Sequence, residues 1–250
     1  MKIKEKINQF KELVFNLLLP KLCLACNTEG SYLCDCCLAK IPLIDKFSCP
    51  GCQKISPYGK TCEACQKSYY LNGVIYALDY KNPLVQRMIK QLKYHFIKDL
   101  INPLAKILIN EIKSSNFLSG NFTADESSFL MIPIPLHRKK FLWRGFNQSE
   151  LLAKKLAEEF ELNLRTDILI KTKNTKSQTD LKENERHLNV KNTFAVNNKR
   201  NIKGKIIFLI DDVLTTGSTL NEAAKELKKA GAQEVWGITL AKGMKIESRK

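Results

Sequence analysis

The stretch Ile206-Ile207-Phe208-Leu209-Ile210-Asp211-Asp212-Val213-Leu214-Thr215-Thr216-Gly217-Ser218-Thr219 decides the fold. A short, largely β-branched apolar run reads as a buried parallel strand, and here it leads straight into two carboxylates at its carboxyl end. A hydroxyl-rich turn follows, and then Leu220, Ala223, Ala224 and Leu227 fall at helical spacing. The turn therefore opens a helix, whose first N–H groups have no intrahelical partner. Thr215, Thr216, Gly217, Ser218 and Thr219 can offer such N–H groups and their own hydroxyls to one phosphate, and Gly217 lets the main chain approach closely. Asp211 and Asp212 suit hydrogen bonds from a vicinal diol, or a ligand's magnesium. A sugar phosphate satisfies both halves. The competing reading is an ordinary strand, turn and capped helix with solvated acids.

The stretch resembles the phosphoribosyl-pyrophosphate (PRPP) binding motif of type I phosphoribosyltransferases. The resemblance implies that Asp211 and Asp212 are the catalytic-site acids on the ribose hydroxyls, and that residues 215–219 hold the 5-phosphate.

Outward from this stretch the chain alternates strand and helix. Residues 73–80 read as a strand, 83–94 as a helix with Leu84, Val85, Met88, Ile89 and Leu92 on one face, and 100–112 as a second helix. The polar run 114–128 reads as a loop, and 129–136 as a strand cut short by Pro133 and Pro135, which cannot donate to a ladder. Residues 166–170 form a candidate strand, 171–185 a long polar loop, and 234–241 a last strand after Gly231 stops the preceding helix. The rhythm predicts an α/β fold: a parallel sheet with helices on both faces and the ligand at the strands' carboxyl ends.

All nine cysteines lie between positions 23 and 65. Eight form two-residue-gapped pairs, Cys23/Cys26, Cys34/Cys37, Cys49/Cys52 and Cys62/Cys65, and Cys36 is left over. Two such knuckles close a tetrahedral site, so the order gives two zinc ribbons. The segment is short of large apolar residues, and a metal would supply its folding free energy. Disulfides and iron–sulfur ligation use the same residues, and Cys36 could replace Cys34 or Cys37. A closed four-cysteine site leaves no position for substrate, so zinc here is scaffold or docking surface.

Basic and aromatic residues alternate in His137-Arg138-Lys139-Lys140-Phe141-Leu142-Trp143-Arg144-Gly145-Phe146-Asn147-Gln148-Ser149, ahead of a helix carrying Leu151, Leu152, Leu156 and Phe160. With the preceding Pro-x-Pro, the Arg-Gly-Phe-Asn-Gln run, the cysteine knuckles and the motif at 206–219, in this order, nearly the whole chain resembles the ComF family of competence-related, phosphoribosyltransferase-like proteins. The resemblance implies a pyrophosphate loop at 134–139 with Arg138 and Lys139, and a mobile loop that carries Arg186 to phosphate. Arg138 could equally belong to a solvated basic loop, and Arg186 could pair with Glu183 or Glu185. It also implies DNA uptake as the setting, with other competence proteins and single-stranded DNA as partners. Aromatics among positive charges suit base stacking, with Trp143 and Phe146 the candidate platforms and Phe146 the one expected to be buried.

The formal charge of +16, from 41 basic and 25 acidic residues, attracts polyanions, although a lysine- and asparagine-rich chain also follows from AT-rich coding. No apolar run approaches the roughly 18 residues a membrane span needs, and a cytoplasmic protein is expected. Ile3, Ile7, Phe10, Leu13, Val14 and Leu17 mark an amphipathic helix. The expected organisation is that helix over 1–22, a cysteine module over 23–68 and a phosphoribosyltransferase-like domain over 69–250. Of the histidines, His95 is expected to be packed at a helix end, His187 to be a loop residue, and His137 is the one beside the pyrophosphate loop. No base-recognition element or general base is legible. A PRPP-binding protein of DNA uptake, a transferase acting on an unidentified acceptor, and a structural zinc adaptor therefore stay open.

Overall fold

The computed structural model describes residues 20–122, 128–173, 192–197 and 199–243. The expected helix over 1–22, apart from residues 20–22, and the segment with Arg186 and His187 lie outside the described residues. The chain divides into two compact units, 1–42 and 43–250, so the division falls between the two cysteine groups rather than after both.

In the smaller unit a tight turn brings the Cys23 N–H to the Thr28 carbonyl (2.9 Å) and the Asn27 N–H back to Cys23 (2.9 Å). A single helical turn follows, α1 (Asp35–Leu38).

The larger unit holds α2 (Glu63–Gln66), β1 (Gly73–Asp79), α3 (Pro83–Tyr94), α4 (Ile101–Ser114), α5 (Phe117–Asn121) and β2 (Phe129–Pro133). After these come α6 (Arg138–Arg144), α7 (Gln148–Phe160), β3 (Asn163–Leu164), β4 (Leu169–Lys171), β5 (Phe194–Val196), β6 (Ile206–Leu214), α8 (Ser218–Lys229) and β7 (Glu234–Lys242). Five strands form a sheet in the order β1-β7-β6-β2-β3, and every pairing in it is parallel. The α/β class with a parallel sheet is thus realised. The strand expected at 166–170 begins later and stays out of this sheet: β4 pairs antiparallel with β5. Residues 117–121, expected within a loop, form α5 because Phe117 is fully buried and its ring meets those of Phe208 (6.0 Å), Trp236 (5.4 Å) and Phe122 (5.5 Å).

Alternation along β6 divides the core between two faces. Ile207 and Leu209 pack with Leu220, Ala223, Ala224 and Leu227 of α8. Phe208 turns the other way, into the aromatic group around Phe117. The outer edge of β1 is lined by the segment that carries the second cysteine group. Leu43 bridges Leu78, Lys60 bridges Gly73, and the Ile44 and Thr61 N–H groups donate to Ala77 (2.9 Å) and Asn72 (2.8 Å). A buried polar pin supports this seam, with the Lys242 ammonium donating to Ser48 Oγ (2.6 Å) and Ser48 Oγ 3.0 Å from the Tyr76 hydroxyl.

Candidate functional site

β6 runs on through both acids to Leu214, further than the apolar run suggested. Its partner on one side does not. Pro133 and Pro135 lack an N–H, and the last bond between the two chains is from Ile134 N–H to the Ile210 carbonyl (2.9 Å). Beyond Ile210, among the described residues, β6 pairs with β7, at the same offset on either side of Asp212, with Asp211↔Thr239, Val213↔Ala241 and Leu214↔Lys242. The proline-ended strand therefore opens the sheet beside the acids.

Into that gap comes the start of α7. Asn147 caps it, accepting from Ser149 N–H (3.1 Å) and donating to the Ile134 carbonyl (3.0 Å), which ties the 134–137 loop to the helix. The next two residues reach the acids. Gln148 Nε2 donates to Asp212 Oδ2 (2.8 Å), and Ser149 Oγ donates to Asp211 Oδ1 (3.0 Å), which also accepts the Asp212 N–H (2.9 Å). From the last turn of α3, Lys93 Nζ makes a 2.7 Å ion pair with Asp212 Oδ2. Arg144 donates to Gln148 Oε1, behind the same carboxylate.

The electrostatics follow from this crowding. Burial, and then the charge of Asp212, push the Asp211 carboxyl up to about 7, against the opposing pull of Lys93. Burial alone would lower Lys93, but Asp212 outweighs it and keeps the ammonium charged. Burial, followed by repulsion from Lys140, brings Lys171 at the end of β4 down to about 8, with Asp211 pulling the other way. These groups form one charge cluster drawn from α3, α6, β4 and β6.

After Leu214 the chain turns through Gly217, whose φ of 74° lies in the left-handed region that favours glycine. Thr216 Oγ1 and Ser218 Oγ lie 2.7 Å apart at the start of α8. Asp211, Leu214, Thr215, Gly217 and Thr219 border a small, open depression. The expected phosphate loop and one of the two acids thus share a wall.

The basic stretch differs from expectation. Residues 138–144 form α6 rather than a loop, capped by His137 Nδ1 accepting from Lys139 N–H (3.3 Å) and ended by Gly145 at φ 75°. Its N-terminal Arg138 and Lys139 are exposed. Phe146 is buried, at 5% exposure, while Trp143 is 58% exposed and meets the rings of Tyr94 (6.3 Å) and Phe96 (5.3 Å). His95 is exposed at the end of α3 rather than packed. Sequence reading missed Lys93, Gln148 and Lys171 as site residues. Gln148 had a signal, since it stands in the Arg-Gly-Phe-Asn-Gln run, whereas Lys93 reads as an ordinary last-turn lysine.

Both cysteine groups are assembled, Cys23, Cys26, Cys34 and Cys37 in the smaller unit and Cys49, Cys52, Cys62 and Cys65 in the larger, with all sulfurs of a group within 4.8 Å of one another. Cys26 and Cys34 Sγ are 3.7 Å apart, Cys49 and Cys62 Sγ 3.8 Å, and Cys52 and Cys62 Sγ 3.6 Å. A zinc ion bonded to four thiolates at about 2.3 Å sets its sulfurs about 3.8 Å apart, so the spacing suits tetrahedral zinc. Backbone N–H groups point at the sulfurs, from Cys34 to Cys23 (3.5 Å) and from Cys62 to Cys49 (3.4 Å), as thiolates require. All nine cysteines are unbridged, and exposed Cys36 belongs to neither group. Both groups fit zinc ribbons. No helix among the described residues is long and apolar enough to cross a membrane.

The chain is similar to known proteins over most of its length. Residues 147–250 match the phosphoribosyl transferase domain family. The chain is 29% identical to the DNA utilization protein YhgH of Escherichia coli O157:H7 over 228 residues, covering 88% of this chain and 97% of the relative. It is 29% identical to competence protein F of Haemophilus influenzae, covering 84% and 98%. With competence protein ComFC of Bacillus subtilis the identity is 28%, covering 88% and 94%.

Proposed function

We propose, for a chain that belongs to the ComF family of competence proteins with a phosphoribosyltransferase-type domain, that it binds PRPP and acts in DNA uptake in the cytoplasm. The observation that carries the ligand is the shared pocket of Asp211 and the 215–219 turn. A carboxylate for a ribose hydroxyl lies beside N–H and hydroxyl donors at a helix start, which suits a sugar joined to a phosphate. Arg138 and Lys139 at the head of α6, and Arg186, are the proposed pyrophosphate contacts, since cations there would grip phosphate oxygens. Magnesium would arrive with the pyrophosphate and neutralise it, with Asp211 the carboxylate in reach. Loss of pyrophosphate leaves a positively charged ribosyl centre, so these groups orient the ligand and shield the charge. Zinc in the two cysteine groups is the proposed scaffold.

Isothermal calorimetry should detect magnesium-dependent binding of PRPP, and Asp211→Asn with Asp212→Asn should abolish it. No heat from the intact protein would sink the assignment.

Single-stranded DNA is the proposed polyanion. Trp143 lies exposed against Tyr94 and Phe96, with Arg144 5.9 Å from the Tyr94 ring centre, and this combination of faces and charge suits stacked bases. Oligothymidylate affinity should fall steeply with salt as counterions are released, and Trp143→Ala should weaken it by about tenfold. Salt-independent binding, or an unaffected variant, would remove this surface from the reading.

A further inference from the structure

We propose that the cleft between the second cysteine group and the last turn of α8 is a nucleobase site. Its ligand is a nucleotide, either free or as one residue of a single strand. The site is separate from the sugar-phosphate site above and stands without it.

The cleft is open, holds about 300 Å³, and so lies at the lower end of the range for small-ligand sites. Gln66, Tyr69, Tyr70, Leu71, Asn72 and Lys228 line it. Asn72 immediately precedes β1, whose first residue, Gly73, pairs with Trp236 near the start of β7. The cleft is therefore at the amino ends of these parallel strands, whereas Asp211 and the 215–219 turn lie at the carboxyl end of β6.

The walls are fixed before any ligand arrives. The Tyr70 N–H donates to Asn221 Oδ1 of α8 (2.7 Å), and the Asn72 N–H donates to the Val235 carbonyl (2.8 Å). Tyr69 leans on the knuckle, where a Cβ added to Gly51 would lie 3.3 Å from its ring. The segment 66–72 thus leaves the cysteine group already clamped to both α8 and β7.

Spare hydrogen-bonding capacity names the ligand. Asn72 Oδ1 accepts the Val235 N–H (2.9 Å), which fixes Nδ2 as a donor that no described residue accepts. Gln66 Nε2 donates to the Thr61 carbonyl (3.0 Å), which fixes Oε1 as an acceptor with no donor among the described residues. One donor and one acceptor complement the pairing edge of a nucleobase, which carries an acceptor beside a donor. Tyr70, 44% exposed, offers a ring face on which a flat heterocycle stacks. An ammonium has three N–H donors, and half-buried Lys228 uses one on the Gln233 carbonyl (2.6 Å), so two remain for a phosphate. Glu234 also acts on Lys228, but its carboxylate is held by the Trp236 indole N–H (2.7 Å). An apolar ligand would bury these amide and ammonium groups unpaired.

The test titrates the zinc-loaded full chain with thymidine 5′-monophosphate, thymidine and oligothymidylate, read by calorimetry and by amide shifts in nuclear magnetic resonance. The shifts should fall on residues 66–72 and on Lys228. Tyr70→Ala should weaken binding about tenfold, the worth of one stacked base, while Tyr70→Phe keeps the ring and should stay within about twofold of wild type. Lys228→Gln should weaken the monophosphate about fivefold and leave thymidine unchanged, because only the former brings a phosphate. Ribose 5-phosphate should not displace the nucleotide. If the monophosphate shows the Tyr70 effect, the source is a free nucleotide. If only oligothymidylate shows it, the cleft holds one base of a strand, and either outcome upholds the site. A Tyr70→Ala protein that binds every probe like wild type would overturn it. So would a wild type that binds none of them, shifts that avoid 66–72, or full displacement by ribose 5-phosphate. Should Tyr70→Ala melt lower than wild type, the shift map and the Lys228→Gln comparison decide instead.

Discussion

Replacing Cys49 and Cys62 together by serine is expected to remove one of two bound zinc equivalents and to lower the melting temperature of the larger unit more than any other change considered. Structural zinc contributes about 10 kcal/mol or more of folding free energy to domains that depend on it. At the tip of its first knuckle the second cysteine group has little else to fold around. Lys54 and Ile55 are exposed, and Ile55 is 73% accessible despite its size. Gly51 approaches Cys65 so closely that an added Cβ would lie 2.7 Å from its sulfur, so the knuckles close on each other rather than on a hydrophobic core. The same pair of substitutions in the first group, at Cys23 and Cys34, should remove the other equivalent and leave the melting of the larger unit in place, because that group lies within the smaller unit. Metal analysis by atomic absorption and scanning calorimetry read both outcomes. A chain that carries no zinc, or one whose larger unit melts unchanged without it, would contradict the scaffold assignment.

The second large effect is expected at Phe208. Its side chain is fully buried at the middle of the sheet. The ring stacks on Phe129 (centroids 5.6 Å apart, planes 9° apart) and meets Phe122 and Phe117 edge-on at 5.5 and 6.0 Å. Phe208→Ala should cost about 3 to 5 kcal/mol, the range for removing a buried aromatic ring, because rings held by a parallel sheet and by α5 can collapse only partly into the cavity. For a unit of this size that corresponds to a fall of roughly 6 to 20 °C in melting temperature. Calorimetry of the metal-loaded protein tests it. A loss below about 1 kcal/mol would mean that the aromatic layer repacks freely.

The strand at 206, the helix after Gly217 and the parallel sheet were legible, because a buried parallel strand is apolar on both faces and a helix start wants small polar residues. The cysteine knuckles were legible because ligand spacing is local. What was not legible is long-range. Nothing around Lys93 distinguishes it from any basic residue in the last turn of a helix, and only the fold brings it to Asp212. Residues 117–121 read as loop because a helix of one turn has no periodicity to detect, and its reason for forming is the burial of Phe117 among rings from other elements. The basic run 138–144 became a helix because His137 and Gly145 supply its two ends, a signal masked by the density of charge. The motif named both acids together, and sequence spacing is silent on the fact that neighbours along a strand look in opposite directions.

The seam along β1 has a further consequence. β1 ends the order of strands in the sheet, and an uncovered edge strand presents a row of unmet N–H and carbonyl groups to any extended chain it encounters. Here residues 43–44 and 60–61 occupy that row, and Cys62 follows directly on Thr61. The knuckles therefore act as a guard on the sheet's open side as well as a fold in their own right. A molecule that lost its metal would expose a sticky edge, and its melting at the lowered temperature would be followed by self-association into aggregates.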